Sequence, residues 1–526
     1  QKQTKQHTNK AKNCAITVCL LILKLHKLCT PNTHDKNNSK VIMMNCFRDI
    51  LQKGGSAVDA AIAALLCTSI INPQSAGIGG GSIFTIMDSS GKVTIINSRE
   101  TVPRNVNPDL PKSCPNTTDW NKWIGVPGEI RGYAEAHRLY GNLSWAELFQ
   151  PAIDLARNGS RIEYVHGQYI QRINNTSIRY EIHPQFENGN LLKTGDTVEF
   201  GKLADTLKMI ANEGPDVFYN GTIAKNLISD IQDAGGKLTL EDLASYKVKV
   251  TDAWNISLGE YQMYFPPPPA GGAILSLILN IMKEPNMTDE KIFFYHRYIE
   301  ALKFANGLKK HIRDPEFNPD NVKMAKNLTE DSYADYIRSL ITNETHAPEF
   351  YGDTQYVDST GTTHVSVLAE DGSAVSVTSS INDIFGSKVL SPSTGIILNN
   401  QLSDFCERRD NISPGERPPS SMAPAVLKSE SETLVIGGSG STMITTGMAS
   451  ALINHLWFNK TLEDVIYSVQ PYDKIKNHTT FDLLDSLKAW GHNITTFYNV
   501  VNAVEKKNGS IYAWSDERKK GKAAGY

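Results

Sequence analysis

The stretch that most narrows what this chain can fold into is GTTHVSVLAEDGSAVSVTSSIN, residues 361–382. It alternates with period two on either side of Asp371-Gly372, a pair suited to the positive φ of a tight turn, and so predicts an antiparallel hairpin. Val365, Val367 and Ala369 fall on one face and His364, Ser366 and Leu368 on the other; the second strand, Ala374 to Ser380, repeats the pattern with Val375 and Val377 facing alike. Such alternation describes a strand pair with one face on a core. It does not explain why the hairpin opens on a glycine followed by two threonines.

The surrounding chain alternates helices and strands without internal repeats. With 526 residues, 40% of them apolar and 21% charged, it can build several layers around a substantial core and is neither disordered nor fibrous in composition. A formal net charge of −3 gives no bias toward nucleic acid or an anionic membrane. The short basic runs, Lys309-Lys310 and Arg518 to Lys522, read as solvated surface. Ser56 can cap a helix running through the alanine-rich stretch to Cys67, with Asp59 in the capping-box position. Gly77, Gly79, Gly80 and Gly81 lead straight into a strand; lacking a following Gly-Lys-Ser/Thr and helix, they read as places of close backbone approach, not as a phosphate loop.

Further along, KVTIINSRE reads as a strand ending at Arg99 and Glu100, WAELFQPAIDLARNG as an amphipathic helix with a glycine stop, and FPPPPAGGAILSLILNIM as a proline run feeding a buried helix. Residues 344–361 carry turn formers without apolar periodicity and read as an exposed loop where a chain can be cut. TLVIGGSGSTMITT reads as strand, glycine turn and helix, which aims backbone N–H groups at an anion or a developing oxyanion.

The compartment is legible in composition. Several lysines precede AITVCLLIL, residues 15–23, a run short of the roughly 20 apolar residues of a spanning helix and closer to the h-region of a secretory signal; a shortened signal-anchor is the alternative. Sixteen of the forty asparagines begin Asn-x-Ser/Thr without proline between, far above chance pairing, which points to the secretory pathway and either secretion or the outer face of the plasma membrane. The seven cysteines lack CxxC spacing, which argues against a zinc or redox motif; Cys46 and Cys67 flank one helix and are the first choice for a pair.

TTHVSVLAEDGSAVSVTSSIN, FGSKVLSPSTGIILNNQLSDF, PPSSMAP and GGSGSTMITT, in this order and spacing, resemble the γ-glutamyltransferase family, the glutathione hydrolases. GGSAVDAAIAALL, GIGGGSIFTI, INSRE, GVPGEIRGY, DIQDAGG and the terminal GKAAGY match the same family, so that the resemblance extends from about residue 41 to 526. It implies an α+β fold, the four-layer αββα sandwich of the N-terminal nucleophile hydrolases, made as a precursor that cuts itself before a threonine. Residues 1–40 would then be leader and spacer, 41–361 the large subunit and 362–526 the small one, both in one composite αββα domain.

The family's cut falls here at Gly361-Thr362, which accounts for the glycine and threonines. A threonine hydroxyl is a weak nucleophile needing an adjacent base, and cleavage frees the one base sure to lie beside it, its own α-amino group, with a pKa near about 7.7–8. The resemblance assigns catalysis to Thr362, the α-carboxylate of a γ-glutamyl group to Arg99 with Ser420 and Ser421, and its α-ammonium to Asp404 with Asn382 and Gln401. Ser380 takes the position of a hydroxyl that supports the nucleophile, and Thr363 is its neighbour. The oxyanion hole aligns with Gly440 and Ser441, where the family has two glycines; a serine forced to positive φ there would be strained.

The implied substrates are glutathione and other γ-glutamyl compounds, with water or an amino acid or dipeptide as acceptor; no metal, organic cofactor or nucleic acid is called for. Two other readings stand beside this one: a processed, secreted family member that binds ligand or partner with weak or no turnover, and an amidase acting on another acyl group.

Overall fold

The computed structural model describes residues 39–523 except 115–119, 173–185, 188–189, 284–290, 353–360, 407, 409, 468–477, 493–498, 517, 519–520 and 522. The apolar run at 15–23 therefore lies outside the described residues, and no described helix is long and apolar enough to cross a membrane.

In chain order, helices α1 (Ser39–Gln52) and α2 (Ala57–Ile71) precede the hairpin β1 (Gly81–Met87) and β2 (Val93–Ser98), then helices α3 (Glu129–Tyr140) and α4 (Trp145–Asn158). Strand β3 (Lys249–Asp252) leads to the hairpin β4 (Trp254–Leu258) and β5 (Tyr261–Phe265), followed by helices α5 (Gly272–Met282) and α6 (Lys291–Leu308). The predicted hairpin is β6 (Gly361–Leu368) and β7 (Ala374–Asn382); β8 (Ala425–Lys428), β9 (Thr433–Ser439), helix α7 (Met443–Leu456), β10 (Val500–Lys507) and β11 (Ser510–Ser515) complete the framework.

One antiparallel sheet runs β6-β7-β1-β2-β3 and the other β11-β10-β9-β8-β5-β4. Helices α2, α3 and α4 share a core with Val365, Val367, Val375 and Val377 on the outer face of the first sheet. Helices α5 and α7 do the same with Met263, Leu427, Leu434 and Ile436 on the second, and Leu368, Ala374, Val426, Val435 and Val504 fill the space between the sheets. The expected αββα order is therefore observed. Strands from either side of Gly361 enter both sheets, so neither portion has a complete sheet alone.

Local chemistry explains the placement. In α2 the Ser56 hydroxyl accepts from Asp59 N at 3.1 Å and the Asp59 carboxylate accepts from Ser56 N at 2.9 Å, the predicted capping box. The same carboxylate accepts from Asn142 N and Leu143 N, so a buried acid also fastens α2 to the α3–α4 connection. Cys46 and Cys67 form the anticipated disulfide, tying α1 to α2. A Cβ on Gly79 would lie 2.2 Å from the Ile397 carbonyl oxygen and one on Gly80 2.2 Å from that of Ser380, so the glycine run is required for close backbone approach.

The hairpin departs from the one-faced pattern. Its polar face meets the other sheet instead of water: Ser376 donates to the Ile436 carbonyl at 2.9 Å, and on the neighbouring β1 Thr85 donates to that of Pro424 at 2.7 Å. His364 bonds the hydroxyls of Thr378 and Ser366, each at 2.9 Å, with its ring against Gly437. Burial pushes this imidazole down to about 3, so it is neutral at physiological pH.

The segment before Gly361 is largely exposed over residues 344–350, as expected, but is tethered at one point. Residues Pro348–Tyr351 form a helical turn, and the buried Tyr351 hydroxyl donates to Glu300 of α6 at 2.5 Å. Nearby, the His296 Nε2 proton faces the Thr342 carbonyl, which leaves Nδ1 to accept from His492 Nε2 at 2.7 Å, while His492 Nδ1 accepts from Lys303 at 3.1 Å. Residues 353–360 lie outside the described set.

Candidate active site

Strand β6 begins at the feature that the site is built around. Gly361 pairs with Asn382 and Thr362 with Ser380, so Ile381 is an extra residue and the ladder bulges between Gly361 and Thr362. The bulge turns Asn382 into the left-handed region, φ 77°, and brings the Ser380 hydroxyl onto the bond: it donates to the Gly361 carbonyl at 2.6 Å and accepts from Asn382 N at 2.8 Å. The Thr362 hydroxyl stands 3.3 Å from Ser380 Oγ. Because the Ser380 proton is committed to the carbonyl, Thr362 is the donor of that contact.

Thr362, Ser380, Asn382, Arg99, Gln401, Asp404, Ser420, Ser421 and Ser441 all line one cavity. Arg99 follows directly from β2 and is only 1% exposed. Its Nε donates to the Pro418 carbonyl at 2.9 Å and its Nη2 to that of Pro419 at 2.8 Å, which fixes the Pro-Pro segment and places Ser420 and Ser421 beside the guanidinium. Nη2 also pairs with Asp404 at 2.5 Å, and Gln401 Nε2 donates to the same carboxylate oxygen at 2.8 Å. Burial raises the Asp404 pKa, with Arg99 and Gln401 pulling the other way. Glu100, fully buried and without a hydrogen-bond donor at either oxygen, is pushed up to about 8 by burial against the opposing field of Arg99. An Arg99–Asp404 ion pair thus lines the cavity, with Glu100 buried behind it and held toward its neutral form.

Two polar atoms of the cavity residues are buried without a hydrogen-bond partner: Gln401 Oε1, an acceptor, and Arg99 Nη1, a donor that stands 3.9 Å from the Glu100 carboxylate, in ion-pair but not hydrogen-bond range. Buried polar atoms are normally matched by protein, water, an ion or a ligand, and these two belong to residues that line an open cavity. Asn382 is spent differently, its Nδ2 donating to Ser403 Oγ at 2.8 Å and to the Asn400 carbonyl. Ser420 Oγ accepts from Met422 N at 3.1 Å.

Between β9 and α7 the glycine turn has the anticipated strand–turn–helix form. Gly440 has φ 127° and Ser441 φ 52°, so the serine does occupy the left-handed region where glycine is at ease. The turn is closed by Met443 N donating to the Gly440 carbonyl at 3.0 Å and Ile444 N to that of Ser441 at 3.1 Å.

Sequence reasoning misplaced one residue and missed others. Lys309 is not solvated surface: it is 5% exposed, lines the cavity, and donates to the Thr442 carbonyl at 3.0 Å, whereas its neighbour Lys310 is exposed. Ser403 and Tyr246, whose hydroxyl donates to the Arg99 carbonyl at 2.8 Å, went unnoticed. No local pattern marks any of the three.

The αββα sandwich with a threonine hydroxyl at the start of an edge strand of one of its two sheets is the fold of the N-terminal nucleophile hydrolases. A solved cephalosporin acylase from Bacillus halodurans superposes with a TM-score of 0.80 at 23% identity, over 92% of this chain and 94% of that one. The family model described as Gamma-glutamyltranspeptidase matches residues 45–526, and the chain belongs to that family. It is 41% identical to the Glutathione hydrolase 5 proenzyme of Rattus norvegicus over 97% of this chain and 96% of that protein. The γ-glutamyltranspeptidase structure from Helicobacter pylori is similar at 25% identity and a TM-score of 0.54, covering 62% of this chain and 96% of its own.

Proposed function

We propose that the chain cuts its own Gly361–Thr362 bond and then acts as a γ-glutamyltransferase and glutathione hydrolase, with Thr362 as nucleophile. The carrying observation is that Thr362 shares its cavity with a cation, an anion and two atoms of opposite polarity that lack a hydrogen-bond partner, Arg99 Nη1 and Gln401 Oε1. A zwitterionic α-amino acid head supplies a carboxylate for the first and an ammonium for the second. The third reading, an amidase acting on another acyl group, lacks a use for this pairing.

In the precursor the Ser380 hydroxyl polarises the Gly361 carbonyl. Attack by Thr362 Oγ1 on that carbon gives a tetrahedral oxyanion held by the Ser380 donor; the C–N bond then breaks, the departing amine takes up the proton that Oγ1 gave up, and water opens the resulting ester, leaving Gly361 a carboxylate and Oγ1 a hydroxyl again. The freed Thr362 amine becomes the general base. With the Gly361 carbonyl gone, Ser380 is released to donate to Thr362 Oγ1 and stabilise its anion. The same oxygen attacks the γ-glutamyl amide, the oxyanion meets the N–H groups of Gly440 and Ser441, and the protonated amine, cysteinylglycine from glutathione, departs. Water, or the amine of an amino acid or dipeptide, releases the glutamyl group. No step calls for a metal or cofactor. The subunits are then residues 41–361 and 362–526.

An assay with a chromogenic γ-glutamyl anilide tests this reading: turnover by the cut protein is expected, with none from Thr362→Ala. Saturable binding without turnover favours the non-catalytic alternative, and neither binding nor turnover would sink the glutamyl site itself.

We also place the protein in the secretory pathway. Nine of the sixteen sequons lie among the described residues, at Asn142, Asn158, Asn220, Asn255, Asn327, Asn343, Asn411, Asn459 and Asn508, and every one of these asparagines is exposed. The buried Asn97, Asn280, Asn382, Asn399, Asn400 and Asn499 carry no sequon. That division is what glycan attachment requires. Mass loss on treatment with an N-glycosidase, using protein from a secreting eukaryotic host, checks it.

A further inference from the structure

We propose that Lys309 is a positioning residue of the oxyanion turn, an inference that rests on the glutamyl-transfer reading above. The turn combines two features that work against each other. On that reading it presents the N–H groups of Gly440 and Ser441 to the oxyanion, with Ser441 itself lining the cavity; yet Ser441 sits at φ 52°, a conformation that a residue with a Cβ leaves readily unless its surroundings hold it. The carbonyls of Gly440 and Ser441 are held by Met443 N and Ile444 N, bonds internal to the turn and its helix. Lys309 comes from outside: it begins the short 3-10 turn Lys309–His311 that continues α6, and its Nζ reaches the carbonyl of Thr442, the residue immediately after Ser441.

Three observations separate this contact from incidental packing. A lysine is rarely buried without a definite task, and Lys309 is buried while Lys310 beside it is exposed. The contact is charge-assisted, an ammonium on a carbonyl at 3.0 Å, and so among the stronger braces available to a single side chain. Lys309 also lines the same cavity as Thr362 and Ser441, so its positive charge lies in the wall of the cavity that would hold the negatively charged tetrahedral intermediate. Lys309 moves no proton and touches no reacting atom in this account. It fixes the direction of two N–H groups and biases the local field toward the oxyanion.

The test uses the cut enzyme, its concentration set by intact mass of the mature fraction, with Lys309→Met and Lys309→Arg. The readouts are kcat and KM for a γ-glutamyl anilide, and inhibition by two probes that carry the glutamyl head, one ending in a boronic acid that becomes tetrahedral on Thr362 and one ending in a planar carboxamide. Lys309→Met is expected to lower kcat by about 10- to 100-fold, short of the effect of deleting an oxyanion donor outright. KM should stay within about threefold, and boronate affinity should fall in parallel with kcat while the planar probe is unaffected. Lys309→Arg, which keeps a charged donor, should recover most of both. If Lys309→Met does not fold, Lys309→Gln, too short to keep the contact and without charge, carries the same expectation. The inference is overturned if the boronate-to-carboxamide affinity ratio of these variants equals that of the wild type, or if their loss is confined to KM. A wild-type protein that neither turns over the anilide nor binds the boronate overturns the glutamyl-transfer reading itself, and needs no Lys309 variant to do so.

Discussion

Replacing Ser380 by alanine isolates the first chemical event from all later ones. In the precursor this hydroxyl is the donor on the Gly361 carbonyl, at 2.6 Å, and the acceptor for Asn382 N, at 2.8 Å. Its loss should act twice. Deleting one preorganised donor from an oxyanion site costs about 2.7–4 kcal/mol of transition-state stabilisation, so self-cleavage should slow by about 10²- to 10³-fold. Leaving the buried Asn382 N–H without its acceptor costs about 1–3 kcal/mol of fold stability, which a protein of this size survives. The assay is electrophoresis of purified precursor sampled over time, with near-ultraviolet circular dichroism to establish that the uncut variant is folded. Ser380→Thr keeps a hydroxyl at the bulge and should mature at close to the wild-type rate. Folded Ser380→Ala that cleaves as fast as wild type would refute the reasoning, because the carbonyl would then need no help from this residue.

Two further outcomes follow from the same geometry. Arg99→Lys replaces a fork that reaches Pro418, Pro419 and Asp404 together with a single ammonium; losing two charge-assisted bonds at about 1.5–3 kcal/mol each, kcat/KM should fall by about 100-fold or more, mainly through KM, measured by steady-state kinetics. Burial raises the Asp404 pKa above the usual aspartate value, so on acidification it protonates early and loses the ammonium partner: 1/KM should decline with falling pH at a midpoint above 3.8, and Asp404→Asn should abolish that limb while raising KM at neutral pH.

What could be read in the residues was local. The Ser56–Asp59 cap, the Asp371-Gly372 turn and the β9–α7 glycine turn each depend on neighbours within a few positions, where residue type and backbone demand meet directly. The inward faces of the hairpin were ambiguous for the opposite reason. Ser366, Ser376 and Thr378 look like a solvent face, and only the second sheet, assembled from distant segments, converts them into internal hydrogen-bonding groups. The site divides along the same line. Residue types at Arg99, Asp404 and Thr362 could be matched to a family pattern, but the contact between Arg99 and Asp404 spans 305 positions and is a property of the folded chain. Lys309 was misjudged because a Lys-Lys pair after a helix is usually exposed; what buries one of the two is the 3-10 turn that swings it inward against Thr442.

The account turns on a peptide bond that is broken so that a hydroxyl can use its own amine. Sequencing of the shorter mature chain from its N-terminus, together with intact mass, tests that most directly. A first residue of Thr362 with a free α-amino group, in protein that turns over the γ-glutamyl anilide, is the predicted result; an active protein whose chain is uncut, or whose short chain begins elsewhere, would contradict it.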